Sequence, residues 1–255
     1  MRIVARAYLA LAYVFIFLPV AVLVVFSFQD CRLPVPPFKG VTLRWYEEIF
    51  ADDRLMSALA NSLIVAVGSS AISVLLGFLA AYALARHHLP ASAWSRALLT
   101  APLSVSYLII GLGLLTLFNQ IGAPRSLWTV GIGHVVINLP LCFAIIYASM
   151  GAQQMAAERA ARDLGASTAQ ILALVTAPML APSILAAFFL SLTFSWDEFI
   201  IAFLLARFDV TLPVEIWNML RSGLNPKTNA IGSVVFLISV ALVLVLELVA
   251  FRRRR

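Results

Sequence analysis

The chain has 255 residues, of which 62% are hydrophobic and only 12% charged, with a formal net charge of +6. Soluble domains carry about 25% charged residues, so this composition excludes a water-soluble globular domain and points to an integral membrane protein. The positive balance is no sign of nucleic-acid binding, because no basic stripe with interleaved aromatics occurs; membrane proteins gather Lys and Arg on one side for topological reasons.

A spanning helix needs about 20 mainly apolar residues. Such runs lie at about 7–28, 60–85, 98–119, 127–150, 179–205 and 229–251, which predicts an all-α membrane protein with six transmembrane helices. The first run follows Arg2 and Arg6 but is longer than a signal-peptide core and lacks a small-residue cleavage pattern, so it reads as an uncleaved span. The loop at 29–58 opens with the Pro-rich Leu33-Pro34-Val35-Pro36-Pro37. It continues through Leu43, Tyr46, Ile49 and Phe50 at helical spacing, either a short amphipathic helix at the outer interface or a plain aromatic anchor. Pro102 and Pro140 sit inside apolar runs, where neighbouring groups can re-satisfy freed carbonyls. Gly68, Gly111 and Gly113, with Ser69 and Ser70, are small enough for close helix packing.

Six spans place both termini on one side. That side carries Arg2, Arg6, Arg86, Arg96, Arg159, Arg162 and Arg252 to Arg255, against only Glu158 and Asp163. The other loops hold Asp30, Glu47, Glu48, Asp52, Asp53, Asp209 and Glu215. By the positive-inside rule both termini are cytoplasmic. Cys31 in a loop and Cys142 in an apolar run are too far apart to pair, and no Cys/His spacing suggests a metal.

Between the fourth and fifth runs lies a charged, alanine-rich island, "MAAERAARDLGAST", at 155–168. From 153 to 170 the alanines, Gln153, Gln154, Glu158, Arg159 and Arg162 favour helix. Gly165 offers a C-cap, Ser167 or Thr168 an N-cap, and 169–176 a second short helix. By itself this is a solvated loop helix. The fifth run carries Trp196, Asp197 and Glu198 deep in an apolar context, where each acid at a bilayer centre costs about 2.5–3.5 kcal/mol. Such acids face a pathway or join a structural pair, with Arg207 as one partner. His134 in the fourth run either titrates in a pathway or is satisfied by a neighbouring helix. No Gly-x-x-x-x-Gly-Lys-Ser/Thr loop, Gly-x-Ser-x-Gly elbow or His-Glu-x-x-His pair occurs, so no catalytic set is visible.

The island resembles the cytoplasmic loop of binding-protein-dependent ABC importer permeases: Glu-Ala-Ala, three residues, Gly, nine residues, then Ile-x-Leu-Pro. Ala160-Ala161, Gly165 and Val175-Thr176-Ala177-Pro178 fall on that spacing. Arg159 stands where the family has glutamate, with Glu158 one place earlier. Asn61-Ser62-Leu63-Ile64-Val65-Ala66 extends the likeness to the second span. Leu43-Arg44-Trp45-Tyr46, Asp163-Leu164-Gly165-Ala166-Ser167, the segments from Ser195 to Phe203 and from Thr211 to Trp217, and Met219 to Pro226 are similar to the spermidine/putrescine-type permeases. There the family follows its proline with an acidic residue and Asn-Ala, whereas this chain reads Lys227-Thr228-Asn229-Ala230.

The resemblance implies a type I importer fold and a single permease domain over 1–255 in a bacterial inner membrane. Its coupling loop at 151–178 would dock an ATPase through Glu158, Arg159, Ala160, Ala161, Leu164 and Gly165, and Trp196, Asp197 and Glu198 would lie on the translocation pathway. It implies no cofactor in this chain, ATP and Mg being bound by two ATPase subunits, and further partners in a second permease and an extracytoplasmic binding protein. The cargo would be a polyamine or related organic cation; opines, amino-acid-like compounds, ferric iron, or a scaffold or enzyme role are the alternatives.

Overall fold

The computed structural model describes residues 2–31, 38, 40–87, 92–223 and 225–252. Leu33 to Pro37, His88, Arg253 to Arg255 and the side chains of Arg2 and Arg252 lie outside the described residues. The order of elements is α1 (Arg2–Ser27), α2 (Arg44–Phe50), α3 (Asp53–Arg86), α4 (Ser92–Thr100), a 3-10 turn (Ala101–Ser104) and α5 (Tyr107–Gln120). There follow α6 (Leu127–Ala148), α7 (Ala152–Asp163), α8 (Thr168–Ile171), a π-helical turn (Leu172–Thr176), α9 (Ala177–Trp196), α10 (Ile200–Leu205), α11 (Leu212–Ser222) and α12 (Pro226–Arg252). Apart from one isolated bridge between Gln29 and Val41, the described residues contain no β-structure.

Five helical stretches are long and apolar enough to cross a membrane on their own: Val4–Ser27, Asp53–Arg86, Leu127–Ala148, Thr168–Trp196 and Pro226–Val245. The sixth expected span, 98–119, is not one helix. Ser92–Ser104 and Tyr107–Gln120 meet at 104°. Pro102 ends α4, since proline removes a backbone donor and clashes with the preceding turn, and the bend itself follows at residues 105–106. The chain around Pro102 tightens to 3-10 geometry and leaves it extended at Val105 (φ −104, ψ 136).

The fifth span also differs from its expected 179–205. Its helix begins at Thr168, passes through the π turn without interruption, and stops at Trp196. A widened turn just ahead of Pro178 gives the ring room against the earlier carbonyl.

Residues 1–59 with 212–241 form one compact unit, and 60–211 with 242–255 a second. In the first unit, α2 buries Trp45 (4% exposed) and Ile49 (0%), an i, i+4 pair, and leaves Leu43 (60%) and Phe50 (62%) outside. The face expected from Leu43, Tyr46, Ile49 and Phe50 is therefore only partly the buried one. Two polar contacts decide the orientation: the Trp45 indole N–H donates to the Gln29 carbonyl at 2.8 Å, and the Tyr46 and Ser27 hydroxyls lie 2.7 Å apart. Asp52 caps α3, its Oδ1 accepting from the Arg54 and Leu55 N–H groups at 3.1 and 3.3 Å. Its Oδ2 accepts from Lys227 Nζ at 2.6 Å, and Lys227, by that hydrogen bond, holds the Asp52 carboxyl below the usual carboxylate range while burial opposes it. The lysine that departs from the family pattern thus has its partner inside the chain.

In the second unit α3, α6 and α9 enclose a core of Val74, Phe78, Ala81, Cys142, Phe143, Ile146, Leu180 and Ala187. Gly77 makes this packing possible: a Cβ there would stand 2.8 Å from the Phe143 backbone nitrogen. Gly111 and Gly133 serve α10 in the same way, their faces filled by Leu204 and Ile201. Gly68 and Gly113 face open space instead.

Candidate functional site

Two polar places interrupt the apolar helices of the second unit. One is the break between α9 and α10. The expectation of two acids within a continuous helix is corrected here, because the helix ends and restarts around them. Glu198 caps α10, its Oε1 accepting from the Ile200 N–H at 2.9 Å and its Oε2 from Ile201 and Ala202 at 2.8 and 3.2 Å. Three donors at a helix N-terminus hold the negative charge in place of water, which is how an acid survives here at 6% exposure.

His134 of α6 reaches the same carboxylate, Nε2 lying 3.6 Å from Glu198 Oε2. Its Nδ1 is 2.6 Å from Ser195 Oγ, which is 3.0 Å from Ser69 Oγ of α3. Ser195 of α9 thus satisfies one ring nitrogen of His134, while the buried Nε2 has no hydrogen-bond partner among the described residues. One turn away Ser191 donates to Ser70 at 3.1 Å. The far end of α10 is fixed as well, Thr129 Oγ1 donating to the Leu205 carbonyl at 3.1 Å.

Asp197 stands apart from this network. It is exposed, and no side-chain partner is found for it among the described residues. Arg207, considered as its counter-ion, lies instead over the Phe208 ring at 4.9 Å. Trp196 is buried at 2%. Of the three residues expected on a pathway, only Asp197 presents surface.

The second place is the corner between α7 and α8. Gly165 adopts φ +87, a conformation natural to glycine. The Gly165 N–H bonds the Arg162 carbonyl at 2.9 Å and the Ala166 N–H the Ala161 carbonyl at 3.0 Å, the paired bonds of a Schellman cap. Ser167 and Gln170 then form a capping box, with the Ser167 N–H donating to Gln170 Oε1 at 2.8 Å and the Gln170 N–H to Ser167 Oγ at 3.4 Å. The expected helix–glycine–helix is present, except that the second helix runs straight on into α9.

Glu158 points inward. Arg86 Nε donates to its Oε2 at 2.6 Å and Arg86 Nη2 to its Oε1 at 3.4 Å, while Thr176 Oγ1 donates to Oε1 at 2.9 Å. One carboxylate so ties α7 to the end of α3 and to the π turn. Arg159, Ala160, Arg162 and Leu164 face outward, Leu164 at 89% exposure. Arg86 and Thr176 were not singled out as site residues from the sequence; the grouping of Arg86 and Glu158 on one side of the membrane was the available signal.

Residues 73–255 match the model of the family described as binding-protein-dependent transport system inner membrane component. The chain is 27% identical over 250 residues to the spermidine/putrescine transport system permease protein PotC of Escherichia coli strain K12, covering 98% of this chain and 94% of that one. It is 33% identical over 235 residues to the putrescine transport system permease protein PotI of the same strain, covering 89% and 83%. Among solved structures, a bacterial ABC transporter involved in the import of the acidic polysaccharide alginate shares the fold, with a TM-score of 0.71 over 98% of this chain and 95% of that one, at 18% identity. The chain belongs to the family of binding-protein-dependent transport inner membrane components and is a multi-pass permease subunit of an ABC importer, not an enzyme.

Proposed function

We propose that this permease carries a polyamine of the putrescine or spermidine type into the cytoplasm by alternating access. The observation that carries the reading is Asp197: an exposed carboxylate without a counter-ion among the described residues, at the break of a spanning helix. It occurs in a chain whose relatives are named as spermidine/putrescine and putrescine permeases. Attraction between a carboxylate and an ammonium 4 Å apart is about 4 kcal/mol at an effective dielectric of about 20, against about 1 kcal/mol in water. Glu198, already occupied by three N–H groups and His134, adds negative background rather than a second contact.

In this reading both termini are cytoplasmic, because that orientation puts the arginine-rich segments inside. The corner formed by Glu158, Arg159, Ala160, Ala161, Leu164 and Gly165 then docks one of two ATPase subunits, which bind the ATP and Mg. A second permease completes the pathway, and an extracytoplasmic binding protein delivers the cargo. A solved alginate transporter of the same fold is in complex with an alginate-bound periplasmic protein, which supports that kind of partner.

The test is uptake of labelled putrescine by the reconstituted complex. Asp197→Asn, at matched expression, is expected to lower uptake about tenfold. Unchanged uptake, or a cognate binding protein that prefers an anion or a sugar, overturns the polyamine reading.

A further inference from the structure

We infer that the corner carries a receptor for an acidic side chain of the ATPase: a cleft between the end of α3 and α7 that takes a carboxylate from the docked subunit. The cleft has a volume of about 190 Å³ and is lined by Arg86, His87, Met155, Glu158, Arg159 and Arg162. The inference rests on the ATPase-docking reading above and adds the chemistry of the partner.

Charge within the cleft is unbalanced. Three guanidinium groups and an imidazole face a single carboxylate, and both oxygens of that carboxylate are occupied by Arg86 and Thr176. The contact found for the Arg159 guanidinium is the Met155 sulfur at 3.2 Å, a weak acceptor that leaves most of its five N–H donors unused. Arg162 has no side-chain partner among the described residues. Asp163 follows it in the chain but does not line the cleft, since neighbouring residues on a helix point about 100° apart.

Size and surroundings narrow the occupant. Sites for small organic molecules run to about 300–1,000 Å³, so this cleft is too small for one and suits a single acidic side chain with its water. Beside it Leu164 is 89% exposed, and a bare apolar anchor next to free arginines is the composition of a protein interface. A lipid headgroup would need an apolar bed for its acyl chains. The exposed face of α7, with alanines, glutamines and charges over Ala152–Asp163, offers none.

The experiment measures ATPase binding to the complete permease pair in nanodiscs, at low salt, for wild type, Arg159→Glu/Arg162→Glu, Arg159→Lys/Arg162→Lys and Leu164→Asp. The charge reversal is expected to weaken binding about tenfold or more, and the lysine pair by less than about threefold. Wild-type binding is expected to weaken as salt rises. If the ATPase binds wild type and loses affinity with Leu164→Asp but not with the charge reversal, docking stands and the acidic-partner inference falls. If wild type does not bind the ATPase, or neither Leu164→Asp nor the charge reversal weakens binding, the docking reading itself falls and takes the inference with it. A charge-reversal effect seen only in nanodiscs containing phosphatidylglycerol, and absent in pure phosphatidylcholine, makes the occupant a lipid headgroup and overturns the inference.

Discussion

The helix break and the corner are built on the same plan with opposite charge. At the break, Glu198 turns inward to cap α10 while its neighbour Asp197 faces out, with no side-chain partner among the described residues. At the corner, Glu158 turns inward to hold Arg86 and Thr176 while its neighbour Arg159 faces out. In each place one member of an adjacent charged pair is used inside the protein, Glu198 by backbone N–H groups and Glu158 by side chains, while the other faces outward. The outward residue is negative at one place and positive at the other. A carboxylate suits a cation, and a guanidinium suits an acidic protein surface.

The comparison breaks most visibly if the inward residues are not structural. Glu198→Ala removes the acceptor of three N–H groups, two of them buried, each costing about 1–3 kcal/mol when left unpaired. Unfolding of the purified protein, followed by heat or denaturant in detergent, is expected to show a loss of about 3–5 kcal/mol. Asp197→Asn in the same assay is expected to shift stability by less than about 0.5 kcal/mol. Equal losses from the two would end the distinction between inward and outward residues at the break.

Glu158→Gln leaves Arg86 without its charge partner at 10% side-chain exposure. Breaking a buried pair costs about 3–5 kcal/mol, and the open cleft puts this pair near about 3 kcal/mol. Restoration of stability by adding Arg86→Met would confirm that the cost comes from the stranded guanidinium.

Gly165→Val sharpens the comparison at the corner. A Cβ at Gly165 meets nothing within 4 Å, so the left-handed backbone at φ +87 sets the base penalty, about 1–2 kcal/mol. Stability should fall by that amount, and ATPase-driven uptake by far more if the Schellman cap sets the docking angle. Uptake that falls only as far as stability does would remove the cap from the mechanism.

The smallest effect belongs to the first unit, where Asp52 and Lys227 form an ordinary ion pair at 2.6 Å with 30% and 19% side-chain exposure. Because the folded carboxyl titrates below its ordinary 3.8, the pair stabilises fully above that value. The contribution disappears as pH falls through the lower folded value. At this exposure it is worth less than about 1 kcal/mol. Stability compared at pH 6 and pH 3 in wild type and Lys227→Met should differ in pH dependence by no more than that.

The sequence made some of this readable. Leu127–Ala148 lies within the expected 127–150 because a largely apolar run is bounded by Ser126 and Ser149, polar residues at either end. Gly165 and Ser167 announced their caps through local chemistry alone. The kink after Pro102 and the break at Asp197 were hidden because hydropathy averages over a window and registers neither backbone donors nor the direction of a chain. An acid in an apolar run reads as a cost until the N–H groups that receive it are in view. The Arg86–Glu158–Thr176 cluster joins residues 72 positions apart, a distance that no local pattern spans. In α2 the periodicity allowed two stripes, and the Trp45 and Tyr46 hydrogen bonds selected between them.

The uninterrupted helix from Thr168 to Trp196 also has a mechanical consequence. At 29 residues it is about 43 Å long, with the Ser167 cap at one end and Asp197 just beyond the other. Such a rod is a lever. A tilt of about 10° around its middle would move each end by about 4 Å in opposite directions. The π turn at Leu172–Thr176 lies near the corner end and Pro182 at the middle, so the points of give along the rod are the places where the backbone hydrogen-bond ladder is altered.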